Sequence, residues 1–429
     1  MTRTASEQAP GTSVTLIPGV RRTVLSNGLR VVTEQMPGVR SAAIGVYVGV
    51  GSRDESPKTH GCAHFLEHLL FKGTPTRSAM EISSLLDEVG GDSNAFTAKE
   101  YTCYHARVLD EDLPTMVDLL GDMLTNSRIT PEDVEAEREV ILDEIAMHDD
   151  DPEDVAHNLF AATAWKGRPI AKPIAGTAES IRAMTRTQIH RYYKRHYVAP
   201  NMVVAVAGNV KHAAVVRMVE AAFASVPGQG PARPPMVAAK SRPAHAATAH
   251  VQRHFEQVNL VLGMKGLTRS DPRRHALGVL NTVLGGGSSS RLFQQVREAR
   301  GLAYAVYAFG LAYSDAGMVG VSVGTLPAKV EETLSVVRAE LAKIAAEGIT
   351  AAELERGKGQ LRRSMVMGFE DSGSRMNRLG EAELFQERML SLDQILERID
   401  SVTLADVAAL AGELFGQPET LALVGPVRA

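Results

Sequence analysis

Cysteine is scarce in this sequence of 429 residues, which contains two, Cys62 and Cys103. Two cysteines cannot form the disulfide framework typical of small secreted domains, so we expect a reducing compartment and a cytoplasmic location. The first twenty residues contain no apolar run long enough for a signal peptide, which supports the same expectation. No run of about eighteen apolar residues occurs anywhere, so no membrane span is predicted.

An excess of basic residues is also absent. The formal net charge is −4, and charged residues make up 22% of the chain. Nucleic-acid-binding domains usually carry a clustered positive charge, so nucleic acid is not an expected partner. Hydrophobic residues make up 44%, which is typical of a globular protein, and the length allows roughly two to four domains.

Segments with strand-like and helix-like patterns alternate along the chain and predict an α+β fold. Asn27-Gly28 between two β-rich runs predicts a hairpin. Residues 227–247 are rich in Pro, Gly and Ala, which indicates a linker. The predicted organisation is an N-terminal tail (1–20), a first α/β domain (21–226), the linker (227–247) and a second α/β domain (248–429).

The second half of the sequence repeats the first. Ile129-Thr130 opens a predicted helix, and Ile349-Thr350 opens another 220 residues later. Thr185 and Thr403 each begin a helix with the same spacing of apolar residues, at an offset of 218. Because both stretches agree on nearly one offset, we predict two homologous half-chains, each a sheet packed with helices. Chance similarity between amphipathic helices is the alternative.

Residues 62–71, CAHFLEHLLF, combine an apolar helix with three polar groups on one narrow arc. His64 and His68 are four residues apart and share a helix face, and Glu67 lies on the same side. Buried polar groups are costly unless they pair or bind a metal. The order H-x-x-E-H inverts the H-E-x-x-H pattern of zinc proteases and predicts two zinc ligands. A core histidine pair bound to Glu67 is the alternative.

A catalytic zinc site needs a third protein ligand and an open fourth position. Glu137 and Glu144 are seven residues apart and share a face of the predicted helix at 131–148. That face borders an apolar stripe, so both carboxylates are candidates for a partly buried site. A solvated acidic helix is the alternative, since the stretch is rich in charge.

Three stretches resemble the pitrilysin-like inverzincin metallopeptidases. They are GCAHFLEHLLFKGT (61–74), GGDSNAFTAKEYT (90–102) and EREVILDEI (137–145). The resemblance extends from about residue 20 over nearly the whole chain. It is strongest to the branch that includes the mitochondrial processing peptidase β subunit and its single-chain bacterial relatives. It implies the fold shared by processing peptidases and LuxS, with the two half-chains closing as a clamshell around a chamber.

The resemblance also assigns roles to individual residues. It implies that Glu144, which lies 76 residues after His68, is the third zinc ligand, and that Glu137 supports the site from the same helix. It further implies that residues 94–97, namely Asn94, Ala95, Phe96 and Thr97, form an edge strand that pairs with an extended substrate. An ordinary strand is the alternative for this segment.

Residues 284–304, LGGGSSSRLFQQVREARGLAY, resemble the C-terminal motif of the same family. The resemblance implies that Arg297 and Tyr304 help to hold the substrate and stabilise the developing oxyanion. Arg300 competes for the arginine role, although its spacing fits less well. The counterparts of Glu137 and Glu144 in the second half are Gly357 and Ser364, so we expect one zinc ion per chain.

These features predict a zinc endopeptidase that cleaves short or unfolded peptides by water attack, with Glu67 as the general base. The resemblance implies a homodimer in which the zinc of one subunit faces Arg297 and Tyr304 of another. Two rivals stay open: a non-catalytic structural relative and a peptidase dedicated to one precursor. The presence of His64, Glu67, His68 and Glu144 argues against the first rival.

Overall fold

The chain forms two compact units in the computed structural model, which describes residues 11–230, 244–385 and 388–426. The first unit comprises Met1–Ile145, Lys172–Pro235 and Met367–Ser391, and the second comprises Ala146–Ala171, Met236–Val366 and Leu392–Ala429. Residues 231–243 of the predicted linker lie outside the described residues. No helix among the described residues is both long and apolar enough to cross a membrane.

The helices and strands before the predicted linker are β1 (Ser13–Ile17), β2 (Val20–Val24), β3 (Arg30–Gln35), β4 (Ser41–Val48), α1 (Cys62–Leu69), α2 (Ala79–Val89), β5 (Asp92–Thr97), β6 (Thr102–Leu109), α3 (Leu113–Asn126), α4 (Pro131–Asp150), α5 (Pro152–Ala164), α6 (Ala178–Ala183), α7 (Arg186–His196), β7 (Met202–Gly208) and α8 (His212–Ala222). Those after it are β8 (Thr248–Gln252), β9 (Val258–Lys265), α9 (Arg274–Gly285), β10 (Ala303–Ala312), β11 (Gly317–Thr325), α10 (Val330–Glu347), α11 (Ala351–Glu370), α12 (Ser372–Leu384), α13 (Leu392–Asp400), α14 (Leu404–Phe415) and β12 (Thr420–Gly425).

A seven-stranded sheet, in the order β1-β2-β3-β7-β4-β6-β5, forms the centre of the first unit. The hairpin predicted at Asn27-Gly28 joins β2 to β3, which pair antiparallel. Gly28 adopts a φ of 92°, a conformation that favours glycine, and its N–H donates to the carbonyl of Leu25 at 2.9 Å. β1 lies inside the segment predicted as a tail, and it adds a strand to the sheet by pairing with β2.

The five-stranded sheet of the second unit has the order β10-β11-β9-β12-β8. Its pairings repeat those of β5-β6-β4-β7-β3 strand for strand, with three antiparallel pairs followed by one parallel pair. The helices correspond as well, because α4 and α11 begin 220 residues apart, as do α5 and α12. The predicted α+β fold of two homologous half-chains is therefore confirmed.

Each sheet is covered by helices on both faces, since neighbouring residues of a strand point in opposite directions. In β7, Val204 and Val206 join a buried cluster with α1, α3, α7 and α8. Val203 and Ala205 face the other way, into a cluster with α12. The second unit packs similarly, with α9, α10 and α14 on one face and α5 on the other.

Helices α5 and α12 each pack on the sheet that the other half of the sequence forms. Phe160 of α5 is buried with Val261 of β9 and Val424 of β12. Leu379 of α12 is buried with Tyr47 of β4. The compact units thus differ from the sequence halves by this exchange of equivalent helices, in addition to the loops beside them.

Candidate metal centre

Helix α1 carries the H-x-x-E-H motif and lies inside the first unit. Its apolar residues Cys62, Phe65, Leu66 and Leu69 are fully buried in the cluster beneath the sheet. His64 is 7% exposed, whereas Glu67 and His68 are half-buried. A helix that is apolar nearly all round is driven into the core, and it brings its polar arc with it.

Helix α4 supplies the two candidate acidic residues. Its start is capped by Thr130, whose hydroxyl accepts the N–H of Asp133 at 3.1 Å. Val134 and Ile141 are fully buried in the same apolar cluster as the residues of α1. Glu137 is 4% exposed, and Glu144 follows two turns later on the same side.

The structure brings His64, His68 and Glu144 together. Nε2 of His64 lies 3.5 Å from Oε1 of Glu144, and Nε2 of His68 lies 3.4 Å from Oε2 of the same residue. Among the described residues, these three form the one group of histidine, cysteine and acidic side chains that could hold a metal ion, with ligand atoms within 4.8 Å of one another. The donor set of two imidazoles and one carboxylate is that of a catalytic zinc site.

Electrostatics in the cluster favour a bound cation. Hydrogen bonds with His64 and His68 hold the pKa of Glu144 well below its usual range, so its carboxylate is charged. Burial lowers the pKa of His68, but hydrogen bonds with Glu144 and Glu137 raise it by more. Nε2 of each imidazole lies within 3.5 Å of an oxygen of the same carboxylate, so the ligand atoms of the three side chains converge on one place. The residues present therefore fit zinc.

Glu137 lies behind His68. Its Oε2 is 3.1 Å from Nδ1 of His68, and its Oε1 is 2.5 Å from the ammonium of Lys72. An acceptor at Nδ1 leaves Nε2 free to bind a metal and fixes the orientation of the ring. Lys72 was not among the predicted site residues, although it is four residues after His68, and that spacing could have pointed to it.

Glu67 points towards strand β5. The hydroxyl of Thr97 donates a hydrogen bond to Oε2 of Glu67 at 2.7 Å. β5 forms one edge of the seven-stranded sheet, so Asn94, Ala95, Phe96 and Thr97 all lie on an edge strand. A small open pocket of about 240 Å³ lies between α1, α4 and β5, and it is lined by Glu67, His68, Phe71, Lys72, Asn94, Ala95 and Glu137.

Arg297 and Tyr304 lie in the second unit. Arg297 is in a π-helical segment, Phe293–Glu298, and its guanidinium stands 4.4 Å from the centre of the Tyr304 ring. It also donates to the backbone carbonyl of Tyr304 at 3.3 Å. Tyr304 is 76% exposed. Arg300 instead donates to Gln295, so the residue paired with Tyr304 is Arg297.

The second half has replaced the acidic residues by close helix packing. Gly357, the counterpart of Glu137, lies on α11 against α9, the counterpart of α1. A Cβ at Gly357 would stand 3.1 Å from the side chain of Val279. A glutamate would not fit there without a shift, and Ser364 replaces Glu144.

A repeated α/β fold with an H-x-x-E-H helix and a distant glutamate is typical of the zinc metallopeptidases in which the H-E-x-x-H motif is inverted. Residues 30–178 match the family model described as insulinase (peptidase family M16), and residues 183–361 match the one described as the peptidase M16 inactive domain. The chain belongs to peptidase family M16.

Relatives named as zinc proteases match nearly the whole chain. An uncharacterized zinc protease of Streptomyces coelicolor is 49% identical over 437 residues, covering 99% of this chain and 95% of the relative. The uncharacterized zinc protease YmxG of Bacillus subtilis is 39% identical, covering 95% and 98%. These names support a zinc peptidase in general.

Solved structures share the fold. A protease from Helicobacter pylori matches with a TM-score of 0.88 at 24% identity, covering 95% of this chain and 100% of that one. A peptidase M16 inactive domain from Pseudomonas fluorescens matches with a TM-score of 0.87 at 21% identity, covering 96% and 98%.

Proposed function

We propose that this protein is a zinc-dependent endopeptidase that hydrolyses short or unfolded peptides. The observation that carries the proposal is that ligand atoms of His64, His68 and Glu144 lie within 4.8 Å of one another. Glu67 lies beside them, on the helix that carries both histidines. One zinc ion per chain is part of the proposal, since Gly357 and Ser364 offer no carboxylate in the second half.

His64, His68 and Glu144 would hold the zinc. Zinc, when bound, supplies a Lewis acid that activates water and polarises the scissile carbonyl. Glu67 takes the proton of the attacking water and passes it to the leaving amine, so the C–N bond breaks without an acyl-enzyme. The hydroxyl of Thr97, 2.7 Å from Oε2 of Glu67, orients this carboxylate and leaves Oε1 for the water.

The substrate backbone pairs with the edge strand. Thr97, the last residue of β5, is hydrogen-bonded to Glu67. A peptide that pairs with residues 94–97 would therefore run past the general base. Pairing through main-chain hydrogen bonds gives affinity with little dependence on sequence. It also demands an extended segment, which favours short or unfolded peptides over folded proteins.

Arg297 and Tyr304 complete the proposed machinery by stabilising the oxyanion. The exposure of Tyr304 and the stacking of the half-buried Arg297 on its ring support this role, since a guanidinium and a phenol both donate to an anionic oxygen. The proposal includes a homodimer in which the pair from one subunit serves the zinc site of another, in the cytoplasm. Neither nucleic acid nor a membrane is a proposed partner.

Cleavage of an unstructured peptide by purified wild type, with zinc content measured, tests the function. Glu67→Gln is expected to keep zinc and to lose about 10²–10⁴-fold in rate, the usual contribution of a general base. Glu144→Gln is expected to lose zinc as well. Glu139→Gln is the matched control, because Glu139 is exposed on α4 and is expected to change neither property.

The rival functions give different results. Wild type that binds no zinc when zinc is supplied would overturn the central claim. Wild type that holds zinc and cuts none of a mixed peptide set would favour a non-catalytic relative. Cleavage of one precursor sequence alone in the same set would favour a dedicated processing peptidase.

A further inference from the structure

The start of α1 lacks its own cap. The residue at the N-cap position is Gly61, which has a φ of 89° and no side chain to accept a hydrogen bond. The first N–H groups of a helix have no partner within the helix, and a serine, threonine or aspartate at the N-cap usually accepts one of them. α1 has eight residues, so its first turn is half of the helix that carries His64.

Glu55 supplies this cap from outside the helix. Its Oε2 accepts the N–H of Gly61 at 2.7 Å, and its Oε1 accepts the N–H of Ala63 at 2.8 Å. Glu55 is 4% exposed. Burial raises the pKa of Glu55 to about 8, while the two backbone hydrogen bonds act in the opposite direction. Burying a carboxylate is costly, so these two bonds have to compensate for its lost hydration.

The chain before Glu55 is attached to the turn that follows β5. The N–H of Ser52 donates to the carbonyl of Ala98 at 3.2 Å, and the N–H of Arg53 donates to that of Lys99 at 3.0 Å. The guanidinium of Arg53 also binds the buried Glu100 at 2.6 Å. Residues 51–55 therefore connect the end of the proposed substrate strand to the start of the zinc helix.

The approach at residue 51 is close. A Cβ at Gly51 would stand 2.3 Å from the carbonyl oxygen of Ala98 and 2.7 Å from that of Lys99. Only glycine lets the two backbones meet at this distance. On the other side, the ammonium of Lys172 donates to the backbone carbonyl of Glu55 at 2.8 Å and holds that residue in place.

We propose that Glu55 is a positioning residue for the zinc site: it holds the first turn of α1, and with it His64, in a fixed relation to strand β5. Glu55 touches neither the metal ligands nor the proposed base, and it acts through the backbone of residues 61 and 63. This inference rests on the proposed zinc site, but it does not require that the protein cleave peptides.

The mechanism is preorganisation. If the first turn frays, His64 is in its ligating position for only a fraction of the time, and the apparent affinity for zinc falls to that fraction of its full value. A buried backbone N–H that loses its acceptor costs enough free energy to change such an equilibrium by about tenfold or more. The affected property is zinc affinity in the folded protein, which global stability alone does not set.

Zinc affinity, measured by competition with a chelator on the full chain, tests the proposal. Glu55→Gln keeps one acceptor oxygen but turns an NH₂ group towards a backbone N–H, so zinc binding is expected to weaken by at least about tenfold. The visible absorption spectrum of the Co²⁺ form is expected to change, because His64 is displaced. Glu55→Asp, which keeps both carboxyl oxygens, is expected to recover part of both properties.

The matched control is Ser78→Ala. Ser78 caps α2 by accepting the N–H of Glu81 at 3.3 Å, and α2 carries no ligand. Loss of this cap is expected to lower stability without changing zinc affinity or the Co²⁺ spectrum. Equal zinc affinity in wild type and Glu55→Gln, or an equal loss in Ser78→Ala, would overturn the proposal.

A measurement on wild type covers the case in which the Glu55 variants do not fold. Hydrogen exchange at the amides of Gly61 and Ala63 is expected to be slow in the zinc-free protein, because Glu55 already protects them. Rapid exchange there would contradict preorganisation. Wild type that binds zinc but cleaves nothing would contradict the peptidase function alone. The proposal on Glu55 would still be tested by the zinc affinity and by the hydrogen exchange of the two amides.

Discussion

Oε2 of Glu137 lies 3.1 Å from Nδ1 of His68, while Nε2 on the other side of the same ring lies 3.4 Å from Glu144. The imidazole is thus held between two carboxylates from one face of α4. Glu137 is itself held by Lys72 at 2.5 Å. The two carboxylates therefore have different roles: Glu144 would bind the metal together with His68, and Glu137 orients the ring of His68.

Glu137→Gln is expected to weaken zinc binding by about 10–100-fold, the usual effect of losing such an outer partner. A glutamine has one acceptor oxygen, so it cannot serve both His68 and Lys72. Chelator competition gives the affinity, and Glu139→Gln on the exposed side of the same helix is the control. Unchanged affinity in Glu137→Gln would show that the ring is oriented by other contacts.

Tyr304→Phe and Arg297→Lys are expected to lower kcat for peptide cleavage by about 10²-fold, because each removes a donor that the proposed function assigns to the developing negative charge. Zinc content and thermal stability should stay as in wild type, since Tyr304 is 76% exposed. Arg300→Lys is the control, because Arg300 pairs with Gln295. A loss in Arg300→Lys equal to that in Arg297→Lys would reverse the assignment.

Gly380→Ala is expected to lower the free energy of unfolding by about 1–3 kcal/mol, because it overfills the contact between α12 and the first sheet. A Cβ at Gly380 would stand 2.1 Å from the ring of Tyr47. Gly368→Ala is the control, since a Cβ at this helical position meets nothing within 4 Å. Urea unfolding measures both, and equal stability of the two variants would argue against close docking of α12.

His212 makes stability depend on pH. Its Nε2 and Nδ1 lie 2.8 and 2.9 Å from the hydroxyls of Thr23 and Thr33, and burial, helped by the charge of Arg21, lowers its pKa to about 4. Between about pH 6.5 and about pH 4, the histidine is therefore protonated in the unfolded chain but neutral in the folded protein. The stability that is present above about pH 6.5 is lost as the pH falls through this range.

The expected loss from His212 is on the order of 2 kcal/mol between about pH 7.5 and about pH 4.5. Urea unfolding at both pH values, for wild type and His212→Gln, isolates this share from that of other groups. Glutamine keeps a hydrogen-bonding partner for the threonines and does not titrate. If both proteins lose stability to the same extent, His212 is not the group responsible.

Much of the fold could be predicted from local patterns. Helix α4 runs over Pro131–Asp150, close to the predicted 131–148, and Asn27-Gly28 forms the expected hairpin. The repeat offsets predicted two half-chains whose strands pair in the same order. The composition of residues 93–108 favours strand, but it does not show that the structure divides them into β5 and β6 with a turn between them. Boundaries of this kind depend on which neighbour each strand pairs with.

The choice of sheet for α5 and α12 was not visible in the sequence. Both are amphipathic helices of 13 residues, and their patterns show an apolar face without showing what covers it. Packing decides this through contacts such as Gly380 against Tyr47, which join residues far apart in the chain. Shape complementarity between distant elements leaves no periodic trace in either one.

The sequence by itself determined His64, Glu67 and His68 as one polar arc, because helical periodicity depends on neighbouring residues alone. It also made Glu137 and Glu144 candidates, and the family resemblance chose between their roles. Only the tertiary structure placed Lys72 on Glu137, Thr97 on Glu67 and Glu55 at the start of α1. These contacts arise where separate elements meet in the core, and burial there decides which polar groups must find each other.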